Sequence, residues 1–356
     1  MSHANYEVLN EELNLDNVAV SIYCLAYNHK NYISTALDSF LMQKTNFNFR
    51  IIVHDDASTD GTADILREYA SKYPEKLVVI LQKENQYSKG TRIISEYIIP
   101  RCKGKYVAVC EGDDYWIDDQ KLQKQYDYME SHPNCYLCAH SGLSVDAETK
   151  KPLGKTIYSK DVCEVSIEDA IAGFGRIVLT NSFFQRIECC RENPYFRTIS
   201  PCGDYIMPII AALQGTVAYI PDIMSAYRLT SNKDSVTAKM RTNHSFRRGY
   251  TEKYDAMLSA LDEHTESKYS NIIEVERDRI WMNYYVQIGD RKTLRQEPYK
   301  SIVKGYSSRQ KIIFYGELYL PRMIARLRYK SKIKRLVKTS DTIELGTPRT
   351  NQWLKV

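Results

Sequence analysis

Between Val18 and Glu130 the chain repeats one pattern four times: a short apolar run, a polar turn, then a stretch whose apolar residues recur at helical spacing. The runs VAVSIYCLAY, FRIIVHD, KLVVILQ and Tyr106 to Cys110 are rich in β-branched residues and predict strands. Ile33, Leu37, Phe40 and Leu41 fall on one face of a helix predicted over Asn31 to Gln43. Further helices are expected over Ala63 to Tyr73, stopped by Pro74, over Ile93 to Ile99, and over Asp118 to Glu130. Strands alternating with helices at this spacing imply a parallel sheet with right-handed crossovers. Ligands of such sheets bind beyond the carboxyl ends of the strands. Tyr27 follows the first strand, Asp55 and Asp56 the second, Asn85 the third, and Glu111, Asp113 and Asp114 the fourth. Four strand ends thus carry polar groups to one edge, which predicts a site there.

The cluster in 111-EGDDYW-116 needs a reason, because carboxylates this close repel each other. Water at a surface turn would satisfy them, and so would a divalent metal carrying a phosphate. Asp60, Asp118 and Asp119 read as turn and helix-cap residues. Tyr115 and Trp116 either touch a ligand or simply pack. His29, His54 and His140 read as structural. Beyond Ser141 the pattern loosens. A short helix is expected in VSIEDAIAGF, a longer one over Asp204 to Gln214 begun by Gly203, a strand over Val217 to Ile220, and a polar loop over 227–237. After Ala238 the chain reads as helical and charged. The expected division is a lead at 1–17, an α/β domain at 18–238 and a helical, basic region at 239–356.

Composition narrows the surroundings. The start lacks a basic cap and an apolar stretch, and no uncharged apolar run approaches the roughly 20 residues of a membrane helix. Nine irregularly spaced cysteines suit a reducing cytosol, and Cys135 and Cys138 read as small strand residues. The net charge of +5 hides an asymmetry. Arg291 to Lys338 holds 15 Lys or Arg and 2 Glu, a local +13, so the rest carries 5 − 13 = −8. Within 321–338, Met323, Ile324, Leu327, Ile333, Leu336 and Val337 alternate with cations. That stretch is either a solvated helix end or a helix lying on anionic lipid. No recognisable nucleic-acid-binding fold accompanies it, so nucleic acid is not expected.

Five motifs between Val18 and Thr237 stand in an order that resembles the family 2 glycosyltransferases: VSIYCLAYNHKNYI, 53-VHDDASTDGT-62, CEGDDYWIDDQKLQKQ, 203-GDYIMPIIAALQG-215 and 227-YRLTSNKDSV-236. The resemblance implies a GT-A type, Rossmann-like nucleotide-diphospho-sugar domain. It implies an inverting, metal-dependent enzyme of hexosyltransferase type. Such an enzyme would move a sugar from a nucleotide diphosphate donor to a saccharide or lipid-linked saccharide, in cell-surface polysaccharide synthesis. By the same resemblance Tyr27, Asp55, Asp56, Asn85, Glu111, Asp113 and Arg228 contact the nucleotide sugar. Asp113 and Asp114 hold Mn²⁺ or Mg²⁺, Asp204 is the catalytic base, and Lys233 is a further phosphate contact. Glu111 stands where the family usually has Asp, and Thr230 where many relatives have His. The expected location is the cytoplasm, with peripheral contact at the inner face of the membrane through 321–338. One rival is a sugar-1-phosphate nucleotidyltransferase, whose Gly-rich phosphate loop LAYNHKNYI lacks. The other is a non-catalytic saccharide-binding protein on the same fold.

Overall fold

The computed structural model describes residues 5–11, 17–229, 236–320 and 323. The chain divides into two units. The first contains the residues up to Ala170, Phe174–Glu192 and Met207–Ser231. The second contains Ile171–Gly173, Asn193–Ile206 and the residues from Asn232 onward.

The first unit is built on one sheet of eleven strands. In chain order these are β1 (Tyr6–Leu9), β2 (Val18–Ala26), β3 (Asn48–Asp55), β4 (Leu77–Gln82), β5 (Tyr106–Val109), β6 (Tyr115–Trp116), β7 (Cys135–Asp146), β8 (Pro152–Thr156), β9 (Cys163–Val165), β10 (Phe184–Arg186) and β11 (Thr216–Leu229). The sheet runs β1-β4-β3-β2-β5-β10-β7-β11-β6, with β8 on β7 and β9 on β11. β4, β3, β2 and β5 are parallel to one another, as are β7 and β11, while β1, β6, β8, β9 and β10 pair antiparallel. The parallel group therefore runs 3-2-1-4 in order of appearance. Its switch point, where ligands bind in such folds, lies between the ends of β2 and β5.

The helices of this unit are α1 (Ile33–Leu41), α2 (Thr62–Lys72), α3 (Lys121–Ser131), α4 (Ile167–Ile171), α5 (Phe174–Ile177) and α6 (Ile187–Arg191). Val20, Ile22 and Cys24 of β2 share a buried core with Ile51 and Val53 of β3, Ala36, Leu37 and Phe40 of α1, and Leu66 of α2. Strands covered in this way read as continuous apolar runs, which is why β2 to β5 were legible.

Four features depart from the sequence pattern. Residues in the expected lead form β1, with Tyr6 opposite Gln82. Ile94–Ile98 is a single wide helical turn followed by a tighter one at Ile99–Arg101. β7 continues past Ser141 to Asp146. β11 takes in Tyr227, Arg228 and Leu229, which the pattern assigned to a loop. Pro221 and Asp222 hide that strand, because its register on β7 shifts between Ile220 and Ile223.

The second unit is helical in its C-terminal part. It holds α7 (Tyr195–Ile199), the first turn of α8 (Gly203–Gln214), α9 (Val236–Thr242), α10 (His244–His264), α11 (Ser270–Ile288), α12 (Tyr299–Gly305) and α13 (Ser308–Tyr319). Arg277 of α11 clasps Asp255 of α10 through Nε and Nη2 at 2.6 and 3.2 Å. Met282, Leu294, Val303, Phe314 and Leu318 form a small core. Ser307 and Gln310 close α13 with reciprocal side-chain to backbone hydrogen bonds. Among the described residues no helix is long and apolar enough to cross a membrane. Thr230, Lys233 and the basic stretch 321–338, apart from Met323, lie outside the described residues.

Candidate active site

The loops after β2 and β3 are joined by backbone amides. Asn28, His29 and Lys30 donate their N–H groups to Ser58 Oγ (2.8 Å), Thr62 Oγ1 (2.9 Å) and Asp60 Oδ2 (2.9 Å), and Thr59 N–H donates to Asn28 Oδ1 (2.9 Å). Asn28 takes a left-handed φ of 56°, a conformation its short polar side chain tolerates. Asp60 was expected to cap α2; the N-cap is instead Gly61, at φ +97°, and Asp60 accepts from Thr62 N–H at 3.0 Å from one position ahead of it. Asp55 accepts from the Ser58 hydroxyl and amide, and burial raises its pKa. Its carboxylate braces its own loop.

Asp56 is the inward partner of the next loop. It is buried and accepts from the amides of Gln86 (2.6 Å) and Tyr87 (3.0 Å). Asn85 donates to the Asp56 carbonyl at 3.2 Å, and its own Oδ1 caps Ser88 at 2.8 Å. A carboxylate has about four acceptor positions, so these two bonds leave capacity for another donor. Tyr27, 40% exposed, follows the last residue of β2.

After β5 the chain passes tightly between the end of β2 and the side chains of the loop and helix that follow it. Gly112 N–H donates to Leu25 O at 2.9 Å, and a Cβ there would lie 2.9 Å from both His29 Nδ1 and Ile33 Cδ1. The next two carboxylates diverge. Asp113 keeps 21% of its side chain exposed and lies 3.9 Å from His29 Nε2. Asp114 is 1% exposed, and its two oxygens accept from Arg228 N–H (2.8 Å) and Asn181 Nδ2 (3.1 Å). Burial first, then the charges of Asp113 and Glu111, push the Asp114 pKa well up, against the opposing pull of Arg228. The sequence paired Asp113 and Asp114 as metal ligands. The fold places Asp114 behind the site, both oxygens held by internal donors.

Arg228 completes the arrangement. It is 1% exposed, donates through Nη1 to the Asp113 carbonyl, and lies 4.5 Å from the Tyr115 ring and 5.1 Å from the Tyr32 ring. Its Nε and Nη2 have no hydrogen-bond partner among the described residues. A buried guanidinium with nitrogens left over after its internal bond suits a multivalent oxyanion. Asn181 was invisible in sequence, 67 positions from Asp114. Besides Asp114, it binds the Ala226 carbonyl (3.1 Å), the Ser225 hydroxyl (2.6 Å) and, through its own carbonyl, Trp116 Nε1 (2.9 Å). Trp116 is therefore a packed residue, against Phe40 at 4.8 Å. His29 was read as structural. Burial lowers its pKa while Asp113 opposes the shift, and its Nδ1 has no partner among the described residues.

Asp204 belongs to the second unit, in the first turn of α8, with Oδ1 accepting from Tyr205 N–H at 2.9 Å. Among the described residues no three His, Cys, Asp or Glu side chains converge on a metal position. Magnesium-type sites that take phosphate oxygens as ligands need only one or two carboxylates. Asp113, with 21% of its side chain exposed, is the carboxylate of the Asp113–Asp114 pair that a ligand can reach.

Comparison with known proteins agrees with this geometry. The sequence model of glycosyl transferase family 2 matches residues 21–182. The uncharacterized protein Rv1520 of Mycobacterium tuberculosis is 30% identical over 255 residues, covering 69% of this chain and 70% of that protein. The putative teichuronic acid biosynthesis glycosyltransferase TuaG of Bacillus subtilis is 29% identical over 221 residues, 61% of this chain and 81% of TuaG. In fold, the chain is similar to S. aureus TarS 1–349 in complex with UDP-GlcNAc, with a TM-score of 0.55 at 15% identity over 85% of this chain and 80% of that one. It is also similar to the mannosyltransferase PcManGT of Pyrobaculum calidifontis, in complex with GDP-Man and Mn²⁺, with a TM-score of 0.51 at 14% identity over 90% and 87%. A parallel 3-2-1-4 group, a carboxylate-and-arginine cluster at its switch point and a matching sequence model have one common explanation: the chain belongs to the family 2 glycosyltransferases.

Proposed function

We propose that the protein is an inverting transferase that takes a sugar from a nucleoside diphosphate donor and adds it to a saccharide or lipid-linked saccharide, in the cytoplasm, during cell-surface polysaccharide synthesis. The observation that carries this reading is Arg228, buried, with Nη1 on the Asp113 carbonyl and with Nε and Nη2 lacking a hydrogen-bond partner among the described residues. A diphosphate is an oxyanion that such a group recognises, and it gathers charge as its bond to the sugar breaks. Asp56, Asn85 and Tyr27 line the adjoining loops and would take the base, Asp56 by accepting its N–H. Asp113, with Glu111 beside it, would hold Mn²⁺ or Mg²⁺, which neutralises the diphosphate when bound. Asp114 and Asn181 fix the backbone on which Asp113 and Arg228 sit. Asp204, in the first turn of α8, would accept the proton of the attacking hydroxyl. In-line attack from the face opposite the leaving group inverts the anomeric carbon. The name of TuaG and the donors held by TarS and PcManGT support the substrate class. Nine cysteines free of disulfides fit a reducing compartment.

Asp204→Asn tests the assignment of chemistry. The variant should bind nucleoside diphosphate as the wild type does and lose donor turnover by about 100-fold or more, the scale of general-base catalysis. Wild-type turnover in the variant would remove Asp204 from the reaction.

A further inference from the structure

One face of α13 is apolar and exposed. Phe314 and Leu318 bury the inner face, whereas Ile312 (71%), Tyr315 (45%) and Tyr319 (40%) stand in solvent. Their spacing of three and four residues sets them in one stripe along the helix. Leu320 and Met323, just beyond it, are exposed as well. Helical spacing puts Arg309 and Lys311 on the two flanks of this stripe, and Glu317, the only carboxylate in the helix, away from it. Arg291 lies over the Tyr319 ring at 4.3 Å. An apolar ridge with tyrosines at its edge and cations on both sides is the pattern of a helix seated in a lipid headgroup layer.

We propose that this face of α13 docks on a membrane surface bearing anionic phospholipids, with Ile312, Tyr315, Tyr319, Leu320 and Met323 entering the headgroup region and Arg291, Arg309 and Lys311 meeting headgroup phosphates. Charge selects this occupant. From Arg291 to Leu320 the described residues that include the ridge hold seven Lys or Arg against two Glu, while the chain outside 291–338 is net negative. A second copy of the chain would bring the same cations to the same face and be repelled. Anionic lipid supplies the opposite charge and an apolar layer together. The inference does not depend on the transferase reading, since it concerns a surface of the second unit.

Co-sedimentation of the full chain with phosphatidylglycerol/phosphatidylcholine vesicles tests it, against pure phosphatidylcholine and in about 0.5 M NaCl, where exposed charges are screened within a few ångströms. The wild type should bind the anionic vesicles, release in salt and ignore the neutral ones. Ile312→Asp with Tyr315→Ser should lower the bound fraction about five-fold or more. Ile312→Ser should fall between the two, with circular dichroism unchanged in both variants. Three results would overturn the proposal. The wild type fails to bind anionic vesicles; the double variant binds them like the wild type, so that cations alone suffice; or the chain forms a dimer that Ile312→Asp dissociates.

Discussion

Asp114 and Lys121 show what single residues contribute behind the site. Asp114 is held in place by Asn181 and by the Arg228 amide. Asn181→Ala leaves Asp114 Oδ2 and the Ser225 hydroxyl without that amide. It should cost about 1–3 kcal/mol in urea unfolding, the penalty for buried polar groups left unsatisfied. Asn181→Asp should cost more, because it sets a second carboxylate against a buried one. Lys121 is fully buried, donates to Gln125 Oε1 at 2.7 Å and lies 4.1 Å from the Trp116 ring. Burial lowers its pKa from 10.5 to about 7, with Cys110, Cys138 and Asp118 opposing. Between about pH 7 and 10.5 the unfolded chain therefore holds more protons than the folded one, so this residue makes stability rise with pH. In Lys121→Met that contribution disappears. The variant's stability relative to wild type should fall as pH increases from about 6 to about 10, measured as the difference in urea midpoints. At this scale the sequence was only half legible. The carboxylates of EGDDYW stood out because charge seldom clusters without a reason. Asn181 did not, because nothing in LTNSFF distinguishes a buried bridging amide from a surface one.

Among the elements, the strands that carry the site were the most readable, since burial on both faces makes them uninterrupted apolar runs. What the pattern hid was β11, broken by Pro221, and the two- to five-residue strands β6, β8, β9 and β10, too short to show a period. Arg228 consequently read as part of a loop, although its strand pairing with Val145 and its amide bond to Asp114 fix it in the sheet. The loops after β2 and β3 are tied to each other: successive amides of 28–30 are taken by side chains of 58–62. Asp60→Ala removes acceptors for Lys30 and Thr62 together. It should lower stability by about 1 kcal/mol, the usual cost of a lost internal hydrogen bond, and weaken nucleotide binding by loosening both loops. Gly112→Ala drives a methyl into His29, Ile33 and the Leu25 carbonyl. A loss of about 1–3 kcal/mol in chemical unfolding is expected, with weaker diphosphate binding, because Asp113 is displaced.

The whole chain combines a unit that holds the Rossmann-like sheet with a unit whose C-terminal part is helical and basic. Sequence exposed the contrast through charge and the change from strand to helix period, and motif order led to the family. The packing that leaves α13 with one uncovered apolar face could not be read there, because it depends on which of its residues meet Met282, Leu294 and Val303. The claim on which the rest stands is that the edge at β2 and β5 binds a nucleoside diphosphate. Isothermal titration calorimetry of the full chain with UDP, GDP, CDP and ADP, each with Mn²⁺, with Mg²⁺ and with EDTA, addresses it directly. One nucleotide should bind with metal-dependent tightening of about ten-fold or more, lost in Asp113→Ala and weakened in Arg228→Met, but retained in Asp204→Asn. Failure of all four to bind, with or without metal, would contradict it and leave the carboxylates and the buried arginine without their ligand.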